Sequence, residues 1–495
     1  MSINKVIVIG IDGGEFSILK VMIRKGLMPN LDSIIKRGFV TNIDTYVKGP
    51  GQGWVSFITG KSPEKHGVFY WNLYKRLINS QFIKDKFLWE ILSENGIRSC
   101  VINMSYTYPP RPFNGYIIAG LGSNLSMSED MKITYPETLM EEIKKNIGDY
   151  IVSCEYRDGS VDDHKKLISD LIRMTKYRTK ACLYIMEKYS PEFVLVVFRG
   201  ADLIQHCYWN LLEPSIEISE TNKPIKTLIE SYYQELDHSI GQICKKYDKS
   251  IKIIISDHGF GPVKAIVYLN HYLAKRGFLY KKQESKKRKI SFLILIRSVI
   301  KFFYKKILIN YEFFRKLNQI RKNLQGVDLP IDKKQTIAYS EASFGVNINK
   351  QSVLVKDKDI NKIKKDVIKC LQELKDPQTN INVIEKIYLK EDPYAKNLRD
   401  APDIIYEANE NYLVTHEMSL ENNIVFKYMD KKEIAFFTGS HRRLGIFIID
   451  GDQIKILKKK DIKITDITSS ILNIFNVNIP SDLDGQIIFE RQESP

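Results

Sequence analysis

No two of the six cysteines (Cys100, Cys154, Cys182, Cys207, Cys244, Cys370) lie close enough to form a C-x-x-C pair. That spacing argues against a thiolate metal site and a disulfide framework, and reads as scattered reduced thiols. The start, MSINKVIVIGIDGG, has no basic segment leading into a long apolar run and a small-residue cleavage site, so no export signal is read and a cytoplasmic location is expected. No internal repeat or low-complexity linker divides the chain. Net charge, too, is nearly lacking outside one segment. Between Lys281 and Lys322 stand fourteen Lys and Arg residues against only Glu284 and Glu312, which accounts for +12 of the formal +16. Any attraction for a polyanion should act through that segment.

What is present is an ordinary α/β composition: 495 residues, 43% hydrophobic, enough for a sizeable core in one elaborated domain or two to three smaller ones. Val6 to Ile11 is an apolar, β-branched run with no polar residue, the pattern of a strand buried on both faces of a parallel sheet, and it stops at Asp12. FVLVVF (193–198) is followed by Asp202, and IKIIIS (251–256) runs into Asp257 and His258. Leu167 to Tyr189 and Ile225 to Tyr247 have helical length and period. The expectation is a doubly wound, mostly parallel sheet with helices on both faces and a site beyond the strand carboxyl ends. Thr336 to Asn349 reads as a return to that core, and the tail as a helix from about Asp466, capped by it or by Thr465, then a final strand.

Asp202 and His206, spaced i, i+4, share one face of a helical turn, and Asp257 and His258 are adjacent just past a strand. A carboxylate and an imidazole in each pair suit zinc or a similar divalent ion. Singly, each pair also has a plain structural explanation, a surface hydrogen bond or a turn. With Asp12 and the His of GSHRRLG, the candidates number six, enough for two ions with three protein ligands each.

The motifs GIDGGEF (10–16), GLMPNLDSIIKRG (26–38), WVSFITGKSPEKHGVF (54–69), TYPP (107–110), ADLIQHCYW (201–209), SDHGFGPV (256–263), GSHRRLGIF (439–447) and IPSDLDG (479–485) come in order along the chain. Together they resemble the alkaline phosphatase superfamily, in its branch of type I phosphodiesterases and nucleotide pyrophosphatases, which includes phosphohydrolases and phosphomutases. The resemblance implies one metal on Asp12, Asp257 and His258 and another on Asp202, His206 and His441, usually zinc, sometimes manganese or another divalent ion. It also implies a Thr or Ser nucleophile nine residues before Thr59, where this chain has Pro50. A proline offers neither a hydroxyl nor a metal-binding lone pair.

Three readings of that departure stand: a metal-bound hydroxide replaces the side chain; a rearranged loop brings up Thr45, Ser56 being too far along its helix; or turnover is lost and a binding module remains. Gly51, Gln52 and Gly53, with Pro50 at a helix start, would leave amide N–H groups for a phosphate, and Lys48 is a further candidate for a phosphate oxygen. A tight glycine loop and an exposed lysine are the plainer readings, and His66 is read as structural.

Phe292, Ile296, Val299, Phe303 and Ile307 fall at helical spacing beside Arg297, Lys301 and Lys305. Spanning a membrane there would cost roughly 2.5–3.5 kcal/mol per central charge. The stretch is therefore either a cap helix or a surface element on anionic membrane through 281–322, at the inner membrane surface. With the second, a lipid-linked phosphate joins phosphorylated small molecules and nucleotides as an expected substrate; nucleic acid is disfavoured, as no stacking platform is seen. The expected division is 1–274 as core, 275–330 as basic insertion and 331–495 as the second part of the core. The expected function is a two-metal phosphoester or phosphoanhydride hydrolase. The alternatives are a phosphoryl or nucleotidyl transferase or mutase, and a silent metal- and phosphate-binding protein.

Overall fold

A computed structural model of the chain describes residues 5–46, 52–68, 72–73, 76–120, 131–154, 160–213, 216, 218–282, 331–342, 344–356, 358–389, 402–418, 424–430, 437–452 and 454–492. Pro50, Gly51, Lys48 and the amphipathic stretch from Phe292 to Ile307 lie outside these residues.

Three strands form where the apolar runs predict, β1 (Val6–Ile11), β6 (Phe193–Phe198) and β7 (Ile251–Ile255), and β2 (Phe39–Asp44), β3 (Ser99–Ile102), β4 (Gly115–Ile118) and β5 (Thr134–Tyr135) join them. A hairpin-like pair, β8 (Gly259–Pro262) and β9 (Gly439–Arg442), leads into β10 (Leu444–Asp450). The main sheet runs β2-β10-β7-β1-β6-β3-β4-β5. Its centre is parallel, from β7 through β1, β6 and β3 to β4, and β10 and β5 run against their neighbours.

β1, β6 and β7 are buried along their whole length because helices cover both faces. Ile7, Ile9 and Ile11 of β1 pack with the buried stripes of α1 (Phe16–Arg24), α2 (Pro29–Arg37), α4 (Val161–Tyr189), α5 (Gly200–Leu212) and α6 (Lys223–Lys246). Val6 and Val8 point the other way, to Trp54 and Phe57 of α3 (Gln52–Thr59) and Ile467 and Ile471 of α7 (Ile464–Ile474). Each such aliphatic side chain contributes about 1.5–3 kcal/mol on burial, so the period-2 alternation fixes the register of the sheet. α7 begins two residues before the expected Asp466. That carboxylate instead accepts from Lys463 N at 2.9 Å and Gln486 N at 2.8 Å, joining the first turn to the tail.

The chain divides into two compact units: 1–264 with 393–400 and 429–495, and 265–392 with 401–428. Thr336 to Asn349 does not rejoin the main sheet. It forms Ala338–Ala342 and Gly345–Ile348 of a separate four-stranded antiparallel sheet, and the main sheet resumes only with β10. The second unit has its own core, and its buried Asp376 accepts from the hydroxyls of Tyr412, Tyr428 and Thr379 at 2.7, 2.6 and 2.9 Å. Among the described residues no helix is long and apolar enough to cross a membrane.

Candidate metal centre

The central parallel strands end at one edge, and the chain places its acids and histidines there. Asp12 follows β1 directly, held by its backbone N–H on Phe198 O at 3.0 Å. Asp202 and His206 lie one turn apart on α5, just past β6. Asp257 and His258 lie between β7 and β8. His441 reaches the same place because β9 pairs with β8, with Phe260 opposite His441.

The six side chains form two groups, Asp12 with Asp257 and His258, and Asp202 with His206 and His441; within each, one ligand atom per residue lies within 4.8 Å of the others. These are the two sets that the resemblance implies. Asp202 Oδ1 stands between the histidines, 3.2 Å from His441 Nε2, 3.5 Å from His206 Nε2 and 3.7 Å from His258 Nε2. His258 Nε2 is also 3.5 Å from Asp12 Oδ1 and 3.7 Å from Asp257 Oδ2. His206 Nδ1 donates to Gly439 O and His258 Nδ1 to Gly259 O, each at 3.0 Å, which turns each Nε2 toward the carboxylates.

The electrostatics fit divalent cations. Both carboxylate oxygens of Asp257 are buried without a hydrogen-bond donor, an arrangement that is costly unless a cation meets them. Burial and the neighbouring Asp12 push the Asp257 carboxyl well up. Burial presses His258 down, but Asp257, Asp12 and Asp202 outweigh it and raise it to about 10. Burial and the His258 charge drive His441 down to about 3. Oxygen and imidazole donors in threes suit zinc or manganese.

Two residues not singled out from sequence complete the surroundings. Trp54 Nε1 donates to Asp12 Oδ2 at 3.3 Å, and Arg199 Nε lies 3.4 Å from the same oxygen, leaving Oδ1 toward His258. The signal for Arg199 was a cation closing a wholly apolar strand three residues before Asp202.

Of the phosphate-binding candidates, Gln52 and Gly53 open α3 against this edge. A Cβ on Gly53 would stand 2.0 Å from Asp257 O, so only glycine permits the approach. Gln52 is buried and its Oε1 has no donor. The two hydroxyls weighed as substitute nucleophiles are both engaged. Thr45 Oγ1 donates to Arg443 O at 2.6 Å, and Ser56 Oγ accepts from His66 Nε2 at 3.0 Å. His66 is structural: its Nδ1 accepts from Val68 N at 3.1 Å, which puts the proton on Nε2.

A mostly parallel α/β sheet with two Asp/His triads beyond its strand ends defines an alkaline phosphatase-like phosphoester hydrolase. The chain belongs to the type I phosphodiesterase/nucleotide pyrophosphatase family, whose model matches residues 6–440. The match stops one residue before His441, so the place of that histidine rests on the β8–β9 pairing. Among solved structures the chain is similar to phosphonoacetate hydrolase from Sinorhizobium meliloti in complex with phosphonoacetate, with TM-score 0.52 and 14% identity over 94% of each chain. It is also similar to human ectonucleotide pyrophosphatase/phosphodiesterase 5, with TM-score 0.49 and 14% identity over 98% of this chain and 97% of that one. No curated protein matches the sequence significantly.

Proposed function

We propose that the protein hydrolyses a phosphoester or phosphoanhydride of a small molecule, a nucleotide or a lipid-linked phosphate, with Asp12, Asp257 and His258 holding one divalent ion and Asp202, His206 and His441 the other. The observation that carries this reading is the convergence of six ligands in two sets of three, with both oxygens of buried Asp257 lacking a donor. Bound divalent ions supply Lewis-acid stabilisation of phosphoryl oxygens and make water a nucleophile at neutral pH. The chain's own groups orient and exclude: His206 and His258 are fixed through Nδ1, and the start of α3 offers amide N–H groups to a phosphate. Water attacks phosphorus in this reading, because Pro50 has no hydroxyl and Thr45 and Ser56 are hydrogen-bonded elsewhere. The basic segment 281–322 rests on an anionic membrane surface, which favours a substrate presented there.

The test is a screen of the metal-loaded protein against monoester and diester chromogenic substrates, with His258→Ala as control. Metal-dependent turnover lost in the variant supports the reading. Phosphate binding with no turnover of any ester would replace it with the silent module. Asp202→Asn and His441→Ala, 239 positions apart, should abolish the same ion in elemental analysis. Net inversion at a chiral thio-substituted phosphorus is expected, and retention would reveal a covalent enzyme intermediate.

A further inference from the structure

His441 arrives at the site on β9, and α5 is shaped to receive it. The helix leaves helical geometry at Tyr208, where φ is −132° and ψ is 25°. In a regular helix the next N–H, that of Trp209, is directed at the carbonyl of Gln205. Here Trp209 N donates to Thr438 Oγ1 at 3.0 Å, and the same hydroxyl donates to His206 O at 3.2 Å. A side chain from outside the helix thus sits in its hydrogen-bond ladder, one of the few causes of a kink in a helix without proline. Thr438 is buried, and its carbonyl accepts from Val263 N at 3.0 Å just past β8. The chain enters it through Phe437, whose φ of 73° is a strained value for an aromatic residue.

Next to that hydroxyl the strand closes on the helix. A Cβ at Gly439 would stand 2.5 Å from Gln205 O and 3.0 Å from Trp209 Cβ, so a glycine lets β9 lie directly on α5 there. His206 Nδ1 donates to Gly439 O at 3.0 Å. His441 lies two residues further along β9, on the same face as Gly439, and its Nε2 comes to 2.9 Å from His206 Nε2 and 3.2 Å from Asp202 Oδ1. Asp202 and His206 come with the helix and His441 with the strand, so the second triad is only as well placed as the contact between the two. We propose that Thr438 is a positioning residue for the ion on Asp202, His206 and His441, its hydroxyl in the α5 kink setting where His441 stands relative to the other two. This role rests on the two-metal reading; Thr438 is not itself a ligand.

The test compares Thr438→Val, which keeps the branched shape and deletes the hydroxyl, with Thr438→Ser, which keeps the hydroxyl, in the full chain. Cobalt is titrated against a chelator and both sites are followed by visible absorption, the second site being the one that Asp202→Asn removes. Thr438→Val should lose about ten- to a hundredfold in affinity at the second site, with an altered cobalt spectrum there, while the first site changes by less than about twofold. Thr438→Ser should bind as the wild type does at both. Where valine prevents folding, Thr438→Ala gives the same readout. An unchanged second site in a folded variant without the hydroxyl overturns the proposal. Equal weakening of both sites overturns it as well, since Thr438 would then serve the fold alone, and so does a serine variant as weak as the valine one. A wild-type chain that takes up no second ion would instead remove the two-metal reading, and this role with it.

Discussion

The two oxygens of Asp12 have different neighbours. Oδ2 accepts from the Trp54 indole and lies beside Arg199, while Oδ1 faces His258, so Oδ1 is the oxygen that would meet an ion on this triad. Trp54→Phe, which keeps the packing ring and deletes the N–H, is expected to weaken the ion on Asp12, Asp257 and His258 about tenfold while sparing the other. Chelator competition on the two sites would read the difference; equal loss at both would show that Trp54 acts on the fold instead. His66 makes a second prediction at this scale. Burial lowers its pKa to about 3, below the ordinary value near 6.5, so the folded state keeps it neutral while the unfolded chain protonates it. Its contribution is therefore complete above pH 6.5 and is lost as pH falls toward 3, at about 1.4 kcal/mol per pH unit. Urea titrations between pH 7 and 5 should show a slope shallower by one proton in His66→Gln, and an unchanged slope would rule the assignment out.

Among elements, the turn after α3 shows why a C-terminal motif accompanies TGKSPEKHG. Asp484 accepts from Ser62 N at 2.8 Å and returns its own N–H to Gly60 O at 2.9 Å, while Lys61 bridges Asp85 at 2.6 Å and Asp482 at 2.5 Å. Asp484→Ala leaves the Ser62 N–H unmet and should cost about 1–3 kcal/mol, seen as a lower denaturant midpoint at unchanged m. The β1, β6 and β7 runs were legible because strands buried on both faces are almost wholly apolar, Lys252 of β7 being the one charged residue in them. Asp12, Asp202, His206, Asp257 and His258 were legible because each lies where such a run stops. Trp54 and Arg199 were not, since an indole in an apolar helix looks like packing, and its bond to Asp12 depends on how α3 lies across β1. The strands after Thr336 were misplaced for a related reason: a short apolar strand does not say which sheet it joins.

For the whole molecule, the basic segment leaves and returns at one point of the second unit. Lys281 and Ile331 face each other in an antiparallel bridge, and Asp332 N donates to Tyr280 O at 2.7 Å. Replacing 283–330 with a two-residue turn should therefore preserve folding and hydrolysis of a small soluble ester. Binding to phosphatidylglycerol vesicles should be lost, measured by co-sedimentation against phosphatidylcholine vesicles; equal sedimentation of both proteins would refute the surface role. The position of β10 between β2 and β7 bears on synthesis as well as on architecture. Until residues 444–450 emerge from the ribosome, β2 lacks the strand it pairs with and β7 keeps an open edge, and His441 arrives only just ahead of them. Closing the sheet and completing the second triad thus fall at nearly the same moment of translation. A nascent or prematurely terminated chain ending before residue 439 would present sticky strand edges to chaperones and proteases, and it could not release activity on cellular phosphoesters.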